Sequence, residues 1–133
     1  MSEVQGQMET KGSYIVIYDD VGVKYFLIFH SHEGQWLLPR TLYNGTEPQN
    51  VVMNVAGMTT GLSGLRFKGT GHQVPVTYNG DQFNLDVSFL EGNMNAPIVL
   101  MKDYYDNYLW ATKDRVLEKL SRSDDMEIIK QAE

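Results

Sequence analysis

Apolar residues recur along the chain with two different periods, and the change of period divides the sequence into predicted strands and helices. Residues 13–18 alternate and are rich in β-branched and aromatic side chains, which predicts a strand. Residues 23–30 predict a second strand, and the continuous apolar run 26–29 indicates a central position with both faces buried. The short apolar run 36–38, stopped by Pro39, predicts a third core strand.

A helix-forming pattern follows a predicted loop at residues 41–45, which contains the turn dipeptide Asn44-Gly45. Apolar residues then recur at helical spacing and predict a helix over residues 47–60. Thr46 is a suitable N-cap, and Pro48 falls in the first turn, where its missing N–H costs nothing. Gly61 is placed for a left-handed C-cap that ends the helix.

The second half of the chain begins with a predicted hairpin. Residues 74–78 and 82–90 flank Asn79-Gly80-Asp81, and Asn-Gly between two alternating runs is a strong hairpin signal. Residues 65–68 and 98–101 predict two further short strands. These segments make the chain a mixture of strands and helices.

The C-terminal part predicts two helices. Thr112 is a suitable N-cap for a helix over residues 112–121, whose apolar stripe would face the core. Ser123 is a suitable cap for a second helix over residues 124–132, with acidic residues in its first turn. Both helices are amphipathic and are expected to cover one face of a sheet.

Composition limits the classes of protein that the chain can represent. A length of 133 residues indicates a single domain over residues 13–133, preceded by a flexible N-terminal segment at residues 1–12. The net charge of −6 argues against general binding to nucleic-acid backbone. The N-terminal segment is polar and acidic, unlike a signal peptide, and no run of about 18 apolar residues would span a membrane. We therefore expect a cytoplasmic protein.

The stretch 36–62 carries the most specific pattern in the chain: a buried strand, a proline-bounded loop, and a helix closed by glycine. In this order it resembles the signature loop–helix–loop of the Nudix hydrolase family. The matching residues are Trp36, Pro39, Arg40, Gly45, Pro48, Thr60, Gly61 and Leu62. The resemblance implies an α+β fold, a Nudix-type α/β/α sandwich with a mixed central sheet. The helix 47–60 would lie on one face and the two C-terminal helices on the other.

The catalytic residues of the family are replaced in this sequence. The family's Arg-Glu pair falls on Asn54 and Val55, and its Glu-Glu pair falls on Met58 and Thr59. Nudix enzymes hold Mg²⁺ on these carboxylates to cleave nucleoside-linked pyrophosphates, and magnesium is a hard cation that requires oxygen ligands. The resemblance therefore implies a degenerate Nudix box, no metal cofactor and a domain without the family's catalytic activity.

The C-terminal third is similar to the diadenosine tetraphosphate hydrolase branch of the family. Tyr108-Leu109-Trp110 is followed by a helix and then by a further short helix, as in that branch. A Glu-His pair of the branch falls here on Tyr104 and Tyr105, so another polar site residue is absent.

Three alternatives remain open at the level of sequence. The helix 47–60 could be an amphipathic core helix of an unrelated α+β domain. An active pyrophosphohydrolase could use a non-standard Mg²⁺ site built from Glu47, Asp103 and Asp106. His30-x-His32 could also offer two ligands to a metal, since residues two apart in a strand share a face.

The residues left to bind a ligand are aromatic and basic. The resemblance places Tyr43 and Tyr105 where members of this branch clamp adenine and phosphates. Arg40 and Lys102 could line the same cleft, where arginine can pair with a phosphate. These four residues predict binding of a nucleotide-type ligand, such as ADP-ribose or a dinucleoside polyphosphate. The other hypothesis is a protein-interaction module that uses an exposed apolar surface. The residues that could form such a surface are Tyr104, Tyr105, Tyr108, Met53, Met58 and Met94.

Overall fold

The computed structural model describes residues 10–43, 48–71 and 73–132. These residues form eight strands and three helices. The strands are β1 (Thr10–Asp20), β2 (Lys24–Ser31), β3 (Trp36–Leu37), β4 (Arg40–Leu42), β5 (Arg66–Thr70), β6 (Val74–Tyr78), β7 (Asp81–Glu91) and β8 (Tyr105–Thr112), and the helices are α1 (Pro48–Thr60), α2 (Lys113–Lys119) and α3 (Ser123–Gln131). In the part of the chain that is described, no helix is long and apolar enough to cross a membrane.

Strand β1 is the centre of the sheet. It pairs in parallel with β7 along one edge and antiparallel with β2 and β4 along the other. Strand β8 pairs with the other edge of β2, β3 pairs with the end of β2 on the same edge as β1, and β5 and β6 pair with β7. The predicted mixed central sheet is therefore confirmed.

The two faces of β1 pack against different helices. Tyr14 and Val16 are buried in one apolar cluster with residues of α2 and α3. Ile15 and Ile17 point the opposite way and are buried in a second cluster with residues of α1. A strand covered on both faces needs a continuous apolar run, which this sequence has. The α/β/α sandwich, with α1 on one face and α2 and α3 on the other, is confirmed.

Two local signals, the Asn79-Gly80 turn and the glycine at the end of α1, agree with the structure. Asn79 and Gly80 both have positive φ, 52° and 85°, in the tight turn between β6 and β7, as a type I′ hairpin requires. Gly61 has φ 71° directly after α1, and its N–H donates to the carbonyl of Gly57. The predicted hairpin and the predicted end of the helix are confirmed.

Two predicted local structures are corrected by long-range pairing. Residues 41–42, predicted as loop, belong to β4, which pairs with residues 12–14 of β1. The run 98–101, predicted as a strand, is not a strand. Instead, its Val99 and Met101 N–H groups donate to carbonyls at the C-terminal end of α1. The last carbonyls of a helix lack partners within the helix. They therefore accept hydrogen bonds from N–H groups that would otherwise pair with a neighbouring strand.

The boundaries of three other elements also differ from prediction. Strand β1 begins at Thr10, so residues 10–12 of the predicted flexible segment lie in the sheet, and residues 1–9 lie outside the described residues. Helix α2 is shorter than predicted, and Thr112 occupies its N-cap position without a side-chain cap bond. Helix α3 has Arg122 at its N-cap position rather than the predicted Ser123. The Arg122 side chain makes no cap bond to the backbone and instead donates to Asp125 in the first turn.

Replacing Gly57 with alanine is expected to raise the free energy of unfolding by about 0.5–1 kcal/mol. Gly57 lies inside α1, and an added Cβ would have its nearest neighbour 4.0 Å away, at the carbonyl oxygen of Leu62. The gain comes from the lower backbone entropy of the unfolded chain. Denaturant unfolding measures it. The same change at Gly34, whose φ is 85°, is the control and should destabilise the fold.

Candidate functional site

A cleft of about 400 Å³ opens where β2 and β4 separate along the same edge of β1. Between the two strands, the N–H of Ile15 donates to the carbonyl of Pro39 over 2.9 Å. The walls come from β4, from α1 and from the segment that leads into β8. The lining residues are Pro39, Arg40, Thr41, Leu42, Val55, Met58, Thr59, Met101, Tyr104 and Tyr105.

Helix α1 presents Val55, Met58 and Thr59 to the cleft. These are three of the four positions on which the sequence resemblance places the family's charged pairs. Met58 is 63 % exposed, so it stands at the mouth of the cleft. The α1 wall is therefore built from two apolar side chains and one hydroxyl, with no carboxylate.

The described residues do not fit a magnesium ion. No group of three His, Cys, Asp or Glu side chains within them is arranged to hold a metal. Asp103 is exposed and does not line the cleft, and Asp106 accepts a bond from His30. Glu47 lies outside the described residues. Magnesium requires several oxygen ligands, and the valine and methionine of the α1 wall offer none.

Arg40 is the one charged side chain among the described residues that line the cleft. Its guanidinium lies 5.8 Å from the centroid of the Tyr14 ring, and Nη1 donates to the Tyr14 hydroxyl over 3.4 Å. Burial raises the pKa of Tyr14, and the Arg40 charge opposes that rise. The Tyr14 ring and hydroxyl thus hold the exposed Arg40 side chain in place beside the cleft.

Two tyrosines at the start of β8 also line the cleft. Tyr105 packs its ring 5.0 Å from Phe29, and burial raises the pKa of its hydroxyl, which Arg122 and Arg40 oppose. Tyr104 lies 6.3 Å from Tyr105, measured between ring centroids, and is 62 % exposed. One ring is therefore fixed by the core, and its neighbour presents an aromatic face to solvent.

Two of the four predicted ligand-binding residues do not line the cleft. Tyr43 donates from its hydroxyl to a carboxylate oxygen of Asp86 over 2.7 Å, and burial together with Asp86 raises its pKa. Lys102 is exposed, and its carbonyl accepts a bond from His32. Arg40 and Tyr105 are in the lining, as predicted, and Tyr104 joins them. The Tyr104-Tyr105 pair was visible in the sequence. That both residues line the cleft depends on the conformation of the segment that leads into β8.

His30 lies in β2 and His32 lies in the turn that follows it, so the two do not share a strand face, but both face the carboxylate of Asp106. His30 Nδ1 lies 2.6 Å from Oδ1 of Asp106, and His32 Nδ1 lies 3.8 Å from Oδ2. The His30 ring also contacts Trp36, with 5.0 Å between ring centroids. These contacts tie the start of β8 to the end of β2, which positions the tyrosines that precede Asp106.

A buried ion pair lies next to the cleft and was not anticipated from the sequence. Asp125 is fully buried, accepts from Arg122 Nε over 2.9 Å, and accepts from the N–H of Leu38 over 3.4 Å. Its second oxygen has no partner among the described residues. Burial raises the pKa of Asp125, and Arg122 opposes the rise. Because Leu38 precedes the lining residue Pro39, the pair supports one wall of the cleft. The i, i+3 spacing of Arg122 and Asp125 was the available signal.

Similarity to known proteins is found in structure and not in sequence. No profile of a known protein family and no curated protein sequence matches the chain. A C. elegans Ap4A hydrolase in a binary complex superposes with a TM-score of 0.74 at 12% identity, covering 91% of this chain and 93% of the other. The Nudix hydrolase RenU from M. smegmatis gives 0.72 at 15% identity, covering 96% and 92%.

The Nudix domain of Shewanella oneidensis NrtR, in complex with ADP ribose, gives a TM-score of 0.66 at 12% identity, covering 94% and 86%. The chain thus has the fold of the Nudix hydrolases over nearly its full length. The expected Nudix resemblance is confirmed at the level of the fold.

Proposed function

We propose that the chain is a non-catalytic Nudix-fold protein that binds a nucleotide-type ligand in its cleft without a metal ion. The observation that carries the proposal is the α1 wall, where Val55, Met58 and Thr59 border a cleft that is open and about 400 Å³ in volume. That volume is within the range of small-molecule sites. The fold retains the space for a ligand but not the carboxylates for magnesium.

The lining favours an aromatic group with few phosphates. Tyr104 and Met58 both line the cleft and offer exposed apolar surface on which a base can lie, and base stacking on aromatic side chains is favourable. Arg40 can pair with one phosphate in a bidentate manner. Arg40 is the one cation among the described residues of the lining, and the chain has a net charge of −6. A single cation balances the charge of a diphosphate better than that of a tetraphosphate. ADP-ribose is therefore the better candidate of the two ligand classes.

A second candidate function is a protein-interaction module. Leu42, Met58 and Tyr104 line the cleft and are each more than 60 % exposed, which places apolar surface at its mouth. This function would require a partner side chain to enter the cleft. We rank it below ligand binding because Arg40 and the paired tyrosines supply both an anion contact and a stacking surface.

Isothermal titration calorimetry with ADP-ribose, ATP and diadenosine tetraphosphate, in Mg²⁺ and in EDTA, tests the proposal. We expect ADP-ribose to bind with equal affinity in both buffers. Arg40→Met keeps the apolar stem against Tyr14 and removes the charge, so it should weaken binding about tenfold. Arg115→Met removes an exposed arginine from α2 and is the matched control. An absence of heat at millimolar ligand would reject nucleotide binding and leave the interaction module.

The same samples, incubated with Mg²⁺ or Mn²⁺ and analysed by chromatography, test the absence of catalysis. We expect no hydrolysis product, because the α1 wall provides no carboxylate for a metal. Turnover near 1 s⁻¹, an ordinary enzyme rate, would contradict this expectation. Glu47→Gln, Asp103→Asn and Asp106→Asn would then show which carboxylate supports the reaction.

A further inference from the structure

A second hollow, of about 300 Å³, lies on the opposite face of the sheet from the cleft and shares no lining residue with it. Its floor is apolar and consists of Phe26, Val87, Phe89 and Ile128. Helix α3 ends at Gln131, which lines one side, and no other helix of the described residues contributes to the lining. The hollow is thus a gap in the α2–α3 layer.

A β-bulge in β5 brings a lysine to the rim of this hollow. Phe67 pairs with Leu90 and Gly69 pairs with Phe89, so Lys68 between them has no partner across the strand. A bulge re-aims the side chain of the extra residue, and Lys68 lines the hollow. Gly69 has φ 135°, a conformation that other residues rarely adopt, so the bulge depends on this glycine.

The rim combines two cations with an aromatic ring. Lys24 also lines the hollow, and its Nζ lies 5.1 Å from the centroid of the Tyr18 ring. Lys68 Nζ lies 3.9 Å from a Glu91 oxygen, and that same oxygen accepts from Arg66. Because Arg66 already pairs with Glu91, the Lys68 charge is only partly balanced. The rim therefore offers positive charge next to the apolar floor of the hollow, although the chain as a whole is acidic.

We propose that this hollow is a second ligand site, which binds a small organic anion with an apolar body. The body packs on the floor residues, and the carboxylate or an equivalent anionic group pairs with Lys24 and Lys68. A volume of about 300 Å³ lies at the lower end of the range for small-molecule sites, so the occupant is a compact molecule. The proposal is independent of nucleotide binding in the cleft.

Two-dimensional NMR titration with 4-phenylbutyrate tests the site, with the uncharged 4-phenylbutan-1-ol as the paired probe. We expect the amide signals of Gly69, Gly71 and Gln131 to shift with a Kd near 1 mM, which is typical of a ligand of this size. The alcohol should bind about tenfold more weakly because it lacks the charge. No variant is needed for this comparison, so its outcome does not depend on the folding of a mutant.

Substitution of both rim lysines provides the second arm of the test. Lys24→Met/Lys68→Met keeps the apolar part of each side chain and should weaken the binding of 4-phenylbutyrate at least tenfold. Lys102→Met/Lys119→Met removes the same charge away from the hollow and should leave binding unchanged. The proposal is overturned if the shifted amides lie elsewhere, if alcohol and carboxylate bind equally, or if the rim variant binds as tightly as the native chain.

Discussion

Arg122→Met is expected to lower the free energy of unfolding by about 3 kcal/mol at pH 7. Arg122 is the cation that pairs with fully buried Asp125, and its removal leaves an ionised carboxylate without compensation. The N–H of Leu38 would be the remaining donor to that carboxylate. Urea unfolding at pH 7 measures the loss, and Lys119→Met, which removes an exposed cation, is the control.

This loss should depend on pH in a defined direction. Burial raises the pKa of Asp125 in the folded chain above its value of about 3.9 in the unfolded chain. The folded state then favours the protonated carboxyl, so this contribution to stability is present at low pH and is lost as pH rises through the folded pKa. Without Arg122 the pKa of Asp125 rises further, so the deficit of Arg122→Met should be largest at neutral pH and should shrink towards pH 4.

The variant Arg122→Met/Asp125→Asn separates the charge from the packing. Asparagine at 125 can still accept from Leu38, but it carries no titrating carboxyl. We expect the pH dependence of the deficit to disappear in this double variant. A deficit in Arg122→Met that is the same at pH 4 and pH 7 would show that the pair contributes by packing alone.

Gly12→Ala is expected to cost about 2–3 kcal/mol of unfolding free energy and to weaken ligand binding in the cleft. A Cβ added at Gly12 would lie 2.2 Å from the carbonyl oxygen of Thr41 and 2.9 Å from the Cα of Leu42. Both contacts are with backbone, which cannot move aside as a flexible side chain can. Strand β4 would have to shift away from β1 and would displace Arg40.

Thermal unfolding together with the ADP-ribose titration measures both effects. Lys11→Ala, in the adjacent position of the same strand, is the control and should change stability by less than about 1 kcal/mol, because it removes only an exposed side chain over the Phe83 ring. A Gly12→Ala protein with native stability would show that β4 is not held tightly against β1. Native stability with weakened binding would instead place the effect in the cleft alone.

The sequence by itself determined the layered fold. Strands β1 and β2 carry apolar residues on both faces, which requires helices on both sides, and the helical spacing in residues 47–60 and 112–132 supplies those helices. Turns that depend on one or two residues were also predictable. Asn79, Gly80 and Gly61 adopt positive φ, which their own side chains or lack of one allow without any distant partner. That Val55 and Met58 carry no carboxylate was likewise readable without a structure.

Only the tertiary structure decided which side chains meet in the cleft. Strand β4 exists because β1 offers it a free edge, and residues 98–101 leave the sheet because the end of α1 offers them free carbonyls. Tyr43 turns to Asp86 while Tyr104 reaches the cleft. Asp125 is buried against Leu38, 87 residues away in the chain. Each of these outcomes depends on a partner that is distant in sequence, and periodicity and local propensity contain no information about such partners.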